Sequence, residues 1–256
     1  MKSLRYVAIF FLLFPVVLLL KAADNKAPQV MDSGSFGIFV NGNRVGTETF
    51  SIEQRDDIGV TSSELKFTVG ELRADQSSEM QLTAKGDLKM YSWHSSIPAK
   101  EEATVVPKDD LLVEHLLPAD QKKIDVPHLL PASTIILDDY FFSHRQMLVL
   151  RYISAKCKFT SGAVQCDPAE YLVLVPHQHV SAKIKMRLEG ASIVKIKGVD
   201  KPVMTLRMES DSQKWMFFSD ESSNKTPGDQ WLLMVDDHFR ILKMSTPTSN
   251  VEIIRD

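Results

Sequence analysis

Only two cysteines, Cys157 and Cys166, occur among the 256 residues. That excludes a disulfide-dense scaffold and any zinc centre built on four thiolates. The chain contains no phosphate-binding loop, no dinucleotide-binding glycine pattern and no Gly-x-Ser-x-Gly elbow, so no cofactor is expected from its motifs. Ser63-Glu64-Leu65-Lys66 matches a Ser-x-x-Lys pattern, but it lies inside an alternating strand and is read as chance. Positive charge is not in excess: 30 Lys and Arg stand against 33 Asp and Glu, a formal net charge of −3. Nucleic-acid binders carry a concentrated basic face, so the charge balance argues against nucleic acid as a partner. Internal repeats and low-complexity tracts are also missing.

What is present is a chain rich enough in hydrophobic residues, 44%, to build a packed core. Residues 1–23 differ from the rest. Lys2 and Arg5 precede an apolar run from Tyr6 to Leu20, and Lys21-Ala22-Ala23 follows. This is the layout of a secretory signal peptide, with an uncleaved membrane anchor as the alternative because Lys21 spoils the cleavage site. Its loss removes three cations and no acid, moving the formal charge from −3 to −6. The expectation is an exported, periplasmic protein or one anchored to the inner membrane, with residues 24–33 as a flexible linker and 34–256 as a single domain. In an oxidising compartment Cys157 and Cys166, flanking a Ser161-Gly162 turn signal, read as a disulfide across a β-hairpin.

From Gly34 onward period-two runs dominate. Phe36, Ile38 and Val40 alternate, Asn41-Gly42 turns, and Val45 to Ile52 returns; Asn-Gly between such runs is a strong hairpin signal. Similar runs follow through Leu65 to Val69, Met80 to Ala84, Ala182 to Leu188 and Met204 to Met208. Ile97 to Ala132, with its five prolines, reads as one more strand and a long irregular excursion, with a short helix near Pro118 to Lys123. The pattern predicts a curved antiparallel meander of about ten to twelve strands. Three runs, Tyr171 to Val175, Trp215 to Phe218 and Trp231 to Val235, are apolar on both faces, so something must cover the second face.

In LDDYFFSHRQMLVLRY, Leu137 to Tyr152, Tyr140, Phe141, His144, Met147 and Leu148 recur at helical spacing. Asp138 is typed as the helix N-cap and Asp139 as a first-turn acid favoured by the dipole. His144 falls on the apolar stripe. His177 and His179, two apart, would share one face of a continuing strand and offer two imidazoles to a metal, with His144 or the Asp236-Asp237-His238 turn as a third ligand. Against this stands the plainer reading of a polar strand end. Lys183, Lys185, Arg187, Lys195 and Lys197 form a basic face, either simply solvated or attracted to anionic lipid.

The closing run QWLLMVDDHFRILKMSTP followed by VEIIRD, the opening FGIFVNGNRVGTETFSI, DLKMYSWHSS and ILDDYFFSHRQML resemble, in that order, the exported proteins of the LolA/LolB lipoprotein-carrier superfamily and its bacterial relatives. The resemblance implies an unclosed β-barrel, mainly β, whose concave face is covered by one or two helices and holds acyl chains. The functional expectation is a periplasmic binding or carrier protein that shelters a lipid or lipoprotein acyl chain. Tyr171, Val173, Trp215, Phe217, Trp231 and Leu233, with Tyr140, Phe141 and Leu148 of the covering helix, are the expected lining. The alternatives are an envelope assembly module with a self-filled core and a protein partner, and a metal-dependent hydrolase using His144, His177 and His179. No catalytic residue is expected in the first two.

Overall fold

The computed structural model describes residues 28–119, 122–160, 163–211, 230–247 and 250–256. The signal or anchor segment, Trp215, Phe217 and the run around them lie outside the described residues. Two-residue turns set the architecture. Asn41 and Gly42 both adopt positive φ (51° and 76°), the mirror-image turn that matches strand twist, and join β1 (Gln29–Val40) to β2 (Asn43–Arg55). Equally tight turns link β2 to β3 (Ile58–Val69) and β3 to β4 (Leu72–Thr83). β5 (Leu88–Ile97), β6 (Glu101–Lys108), β7 (Leu111–Leu117) and β8 (Ile124–His128) continue the meander. After the short β9 (Ile135–Ile136) comes the helix α1 (Ser143–Lys156). Beyond it stand β10 (Cys157–Thr160), β11 (Ala163–Cys166), β12 (Ala169–Val175), β13 (Val180–Ile196), β14 (Val199–Ser210), β15 (Gln230–Val235), β16 (Ile241–Ser245) and β17 (Val251–Arg255).

Fifteen of these strands form one sheet in the order β8-β7-β6-β5-β4-β3-β2-β1-β17-β16-β15-β14-β13-β12-β9, and β10-β11 form a separate ribbon. The first strand therefore pairs with the last, Phe36 opposite Arg255, and joins the two halves of the meander. The sheet's ends, β8 and β9, do not pair with each other, although β9 packs against β5 and the Leu88 N–H donates to the Ala132 carbonyl at 2.7 Å. The result is a mainly β, strongly curved, unclosed barrel.

Three local expectations change. Ile97 to Ala132 is not an excursion but three strands, β6 to β8, which is why the strand count exceeds twelve; Pro107 and Pro127 sit inside strands, and a sheet-end strand such as β8 tolerates a missing N–H. β1 begins at Gln29, so Gln29 to Ser33 of the expected linker is strand paired with β2. Asp138 is not the N-cap. The helix starts at Ser143, with Phe142 at the cap position.

Two features delay that start. Asp138 Oδ1 accepts the Tyr140 N–H at 3.0 Å, a local turn that competes with helix. The orphan N–H groups of Phe142 and Ser143 are taken by the carboxylate of Glu48 on β2, at 2.6 and 3.1 Å. Helix α1 packs Leu148, Val149 and Tyr152, all fully buried, against the inner faces of the sheet. Fully burying a residue such as Leu148 contributes about 1.5–3 kcal/mol, and packing of this kind sustains a helix only 14 residues long.

Cys157 and Cys166 are cross-strand partners on β10 and β11 and are joined by a disulfide. On β12, Val173, Leu174 and Val175 are all fully buried, so this strand is covered on both faces. On β15 the inner residues Trp231, Leu233 and Val235 are buried while Leu232 and Met234 are only half-buried. No helix among the described residues is long and apolar enough to cross a membrane.

Candidate functional site

Two places in the fold stand out by their chemistry. One is an apolar groove at the end of the barrel where the disulfide ribbon stands. The other is a buried polar cluster near the unpaired ends of the sheet.

The groove has a volume of about 760 Å³. Phe159 and Val164 of the ribbon form one wall, and Ala191, Pro202, Val203 and Met204 of the long β13–β14 hairpin form another. Phe239, Leu242, Asp236, Asp237 and Arg240 complete it, with Ser192 and Lys201 also lining. Its shape is fixed from several sides. Asp236 accepts the His238 and Arg240 N–H groups and pairs with the Arg240 guanidinium at 2.7 Å, locking the turn before β16. Gln146 of α1 donates to the Phe239 carbonyl at 2.8 Å and accepts the Ile241 N–H at 2.7 Å, so the helix holds that turn. Phe159 meets Phe239 edge to face, ring centroids 5.5 Å apart, across the groove. A second depression, of about 510 Å³ on β2 to β5, is lined by Ser, Thr, Glu and His with Phe50 as its one large apolar side chain, and is chemically a polar surface.

The polar cluster gathers Asp138, Asp139, His177, His144 and Tyr91. Asp138 Oδ2 accepts the Tyr91 hydroxyl at 2.5 Å and faces His177 Nδ1 at 2.6 Å. Asp139 Oδ2 accepts the Gln178 amide at 2.7 Å. The His177 ring lies between Trp93, centroids 4.0 Å apart and nearly parallel, and Tyr140 at 4.3 Å. His144 Nδ1 accepts the Asp138 N–H at 3.2 Å, which places that ring's proton on Nε2. Nearby, Glu114 on β7 is fully buried and holds His128 at 2.9 Å and His179 at 3.0 Å. These bonds run from β5 and β7 to the segments after β9 and β12. Side chains thus bridge the region where no hydrogen-bonded ladder joins the sheet's ends.

Burial and neighbouring charge divide the titration of this cluster. Burial pushes Asp138 up, but the charge and hydrogen bond of His177, with His144 and Tyr91, hold it down to about 2. Burial, and then the Asp138 charge, push Asp139 up to about 6. Burial depresses His144 to about 4 against the attraction of Asp138. For His177 burial works downward, but Asp138 outweighs it and the net shift is upward. Burial and Asp138 both raise Tyr91.

The expected site residues divide accordingly. Val173, Trp231, Leu233, Phe141 and Leu148 are buried in one continuous core, Tyr171 and Tyr140 pack at its edge, and none of the seven lines the groove. Trp215 and Phe217 lie outside the described residues. The three imidazoles do not converge as a metal triad. The strand ends at Val175, a tight turn over Pro176–Gln178 follows, and His179 takes a left-handed conformation, so His177 turns to Asp138 and His179 to Glu114. The basic face is largely neutralised: Lys183 pairs with Glu170, Arg187 with Glu189 and Glu209, and Lys197 with Asp256. The groove had no sequence signal beyond the Cys157–Cys166 pair that builds one wall.

No protein-family model and no curated protein matches the chain. Among solved structures, the crystal structure of a β-barrel-like protein of the domain of unknown function DUF1849 from Brucella abortus is similar, with a TM-score of 0.52 at 8% identity. The match covers 88% of this chain and 94% of that one, and at this identity it establishes a shared barrel-like fold.

Proposed function

We propose that the chain is an exported binding or carrier protein that takes up an apolar ligand, a lipid or an acyl chain, in the groove between the disulfide ribbon and the β13–β14 hairpin. The supporting observation is the groove itself. Its volume of about 760 Å³ falls within the roughly 300–1,000 Å³ of small-molecule sites, and an apolar lining with a few polar groups is their usual chemistry. This reading moves the ligand from the concave face, where the resemblance to the lipoprotein carriers would put it, because α1 and the core side chains fill that face. The periplasmic setting rests on the signal-like residues 1–23 and suits a disulfide-tied wall.

Lipid extraction and native mass spectrometry of purified protein test the proposal. A co-purifying lipid, or saturable binding of a fluorescent fatty acid that Ser192→Trp weakens at least fivefold, is the expected result. No lipid and no probe binding would overturn it. A second reading, an envelope assembly module with a self-filled core, draws support from the fully buried residues beneath α1. It calls for a co-purifying envelope protein in place of lipid.

A further inference from the structure

The polar cluster brings buried acidic groups and an imidazole close together. Asp138 and Asp139 are adjacent and at least nine-tenths buried, and Glu114, also buried, lies in the same region. Arg145 donates to the backbone carbonyls of Asp138 and Phe141, and its guanidinium lies over the rings of Phe142 and Trp231. Buried charge is stable when it is compensated. Three polar atoms of the cluster, Asp139 Oδ1, His177 Nε2 and His144 Nε2, are buried without a hydrogen-bond partner. Orphaned buried atoms of this kind point to a bound water or ion.

We propose that Asp138, Asp139 and His177 bind a divalent transition-metal ion. One ligand atom from each lies within 4.8 Å of the other two. Zinc sits about 2.0–2.2 Å from imidazole nitrogen and carboxylate oxygen in a four-coordinate sphere, so His177 Nδ1 and Asp138 Oδ2, 2.6 Å apart, separate slightly to admit the ion, Asp139 supplies the third ligand and water the fourth. Mixed carboxylate and imidazole ligands suit zinc or manganese. The outer shell is already built. Tyr91 and the Tyr140 N–H orient Asp138, Gln178 holds one oxygen of Asp139 and leaves the other free, and Trp93 and Tyr140 fix the plane of His177. Such second-shell groups set ligand direction and tune affinity. The ion takes the place of the proton between His177 Nδ1 and Asp138 Oδ2. It ties the segment after β9, which Tyr91 already links to β5 by a hydrogen bond, to the turn after β12, whose His177 stacks on Trp93 of β5.

The test uses full-length protein stripped with a chelator, then titrated with ZnCl2 or MnCl2 and followed by calorimetry and thermal melting. One equivalent bound, with a rise in Tm of several degrees, is expected for the wild type. Asp139→Asn, which preserves shape, should lose at least tenfold in affinity, and His177→Gln likewise. His94→Ala combined with His115→Ala removes two exposed His–carboxylate pairs and should leave binding intact. The proposal is overturned if the wild type binds neither metal, or if Asp139→Asn with a wild-type circular dichroism spectrum binds as tightly as the wild type. It is also overturned if binding disappears only in the surface double variant, which would mean an adventitious ion only.

Discussion

The Glu48 carboxylate and the Ser143 backbone N–H, 95 residues apart in sequence, meet at 3.1 Å inside the barrel. Through this bond a strand of the first hairpin caps the helix that fills the concave face. Ser63 supports the same corner, its hydroxyl 2.6 Å from that of Ser143. Glu48→Ala leaves two buried N–H groups without acceptors and should cost about 2–3 kcal/mol. Glu48→Gln keeps one acceptor and should cost about half as much. Urea denaturation of the three proteins measures both; equal midpoints would remove Glu48 from the account.

The same residue predicts a pH dependence. Burial raises the Glu48 pKa above its usual 4.5, against the hydrogen bonds from Ser143, Ser63 and Phe142. Between the unfolded and folded values the native state then holds more protons than the unfolded chain, so this contribution falls as pH rises. The stability advantage of wild type over Glu48→Gln should be largest below pH 4.5 and shrink as pH climbs through the folded value. An advantage that grows with pH would contradict the assignment.

The disulfide ribbon is predicted to be a local unit. Among the described residues β10 and β11 pair only with each other, and a lone two-stranded ribbon is marginal in water. A cross-link closing about ten residues stabilises by about 2–3 kcal/mol in the chain-entropy model. In Cys157→Ser/Cys166→Ser, hydrogen exchange should accelerate at 157–160 and 163–166 while β14 and β15 keep their protection. Unchanged exchange in the ribbon, or loss of protection throughout the sheet, would oppose this.

Leu148 measures how tightly α1 fills the concave face. It is fully buried, and Leu→Ala at such positions costs about 3–5 kcal/mol where the cavity cannot collapse. A loss under about 1 kcal/mol would mean that the helix rests loosely on the sheet.

Much of the fold was legible because it is local. Asn41-Gly42 announced its hairpin, the alternation from Phe36 to Ile52 placed β1 and β2, and Cys157 and Cys166 flanked a turn. The start of α1 was not legible, because its cap comes from Glu48 and the local candidate, Asp138, spends its oxygens on Tyr140, Tyr91 and His177. Nor were β6 to β8, whose prolines read as breaks until a sheet end accommodates them. Asp138 and His177 are 39 residues apart, and only the placement of the turn after β12 beside the segment after β9 brings them together. The groove escaped for a related reason: the ribbon, the β13–β14 hairpin and the Asp236–Arg240 turn each look like ordinary hairpins until they meet.

The most direct test of the binding reading is photo-crosslinking with a diazirine fatty acid, followed by peptide mapping. The account predicts labels on Phe159, Met204 and Phe239 or their immediate neighbours, competed away by unlabelled fatty acid. Labels confined to the core beneath α1, or scattered over the surface without competition, would contradict it.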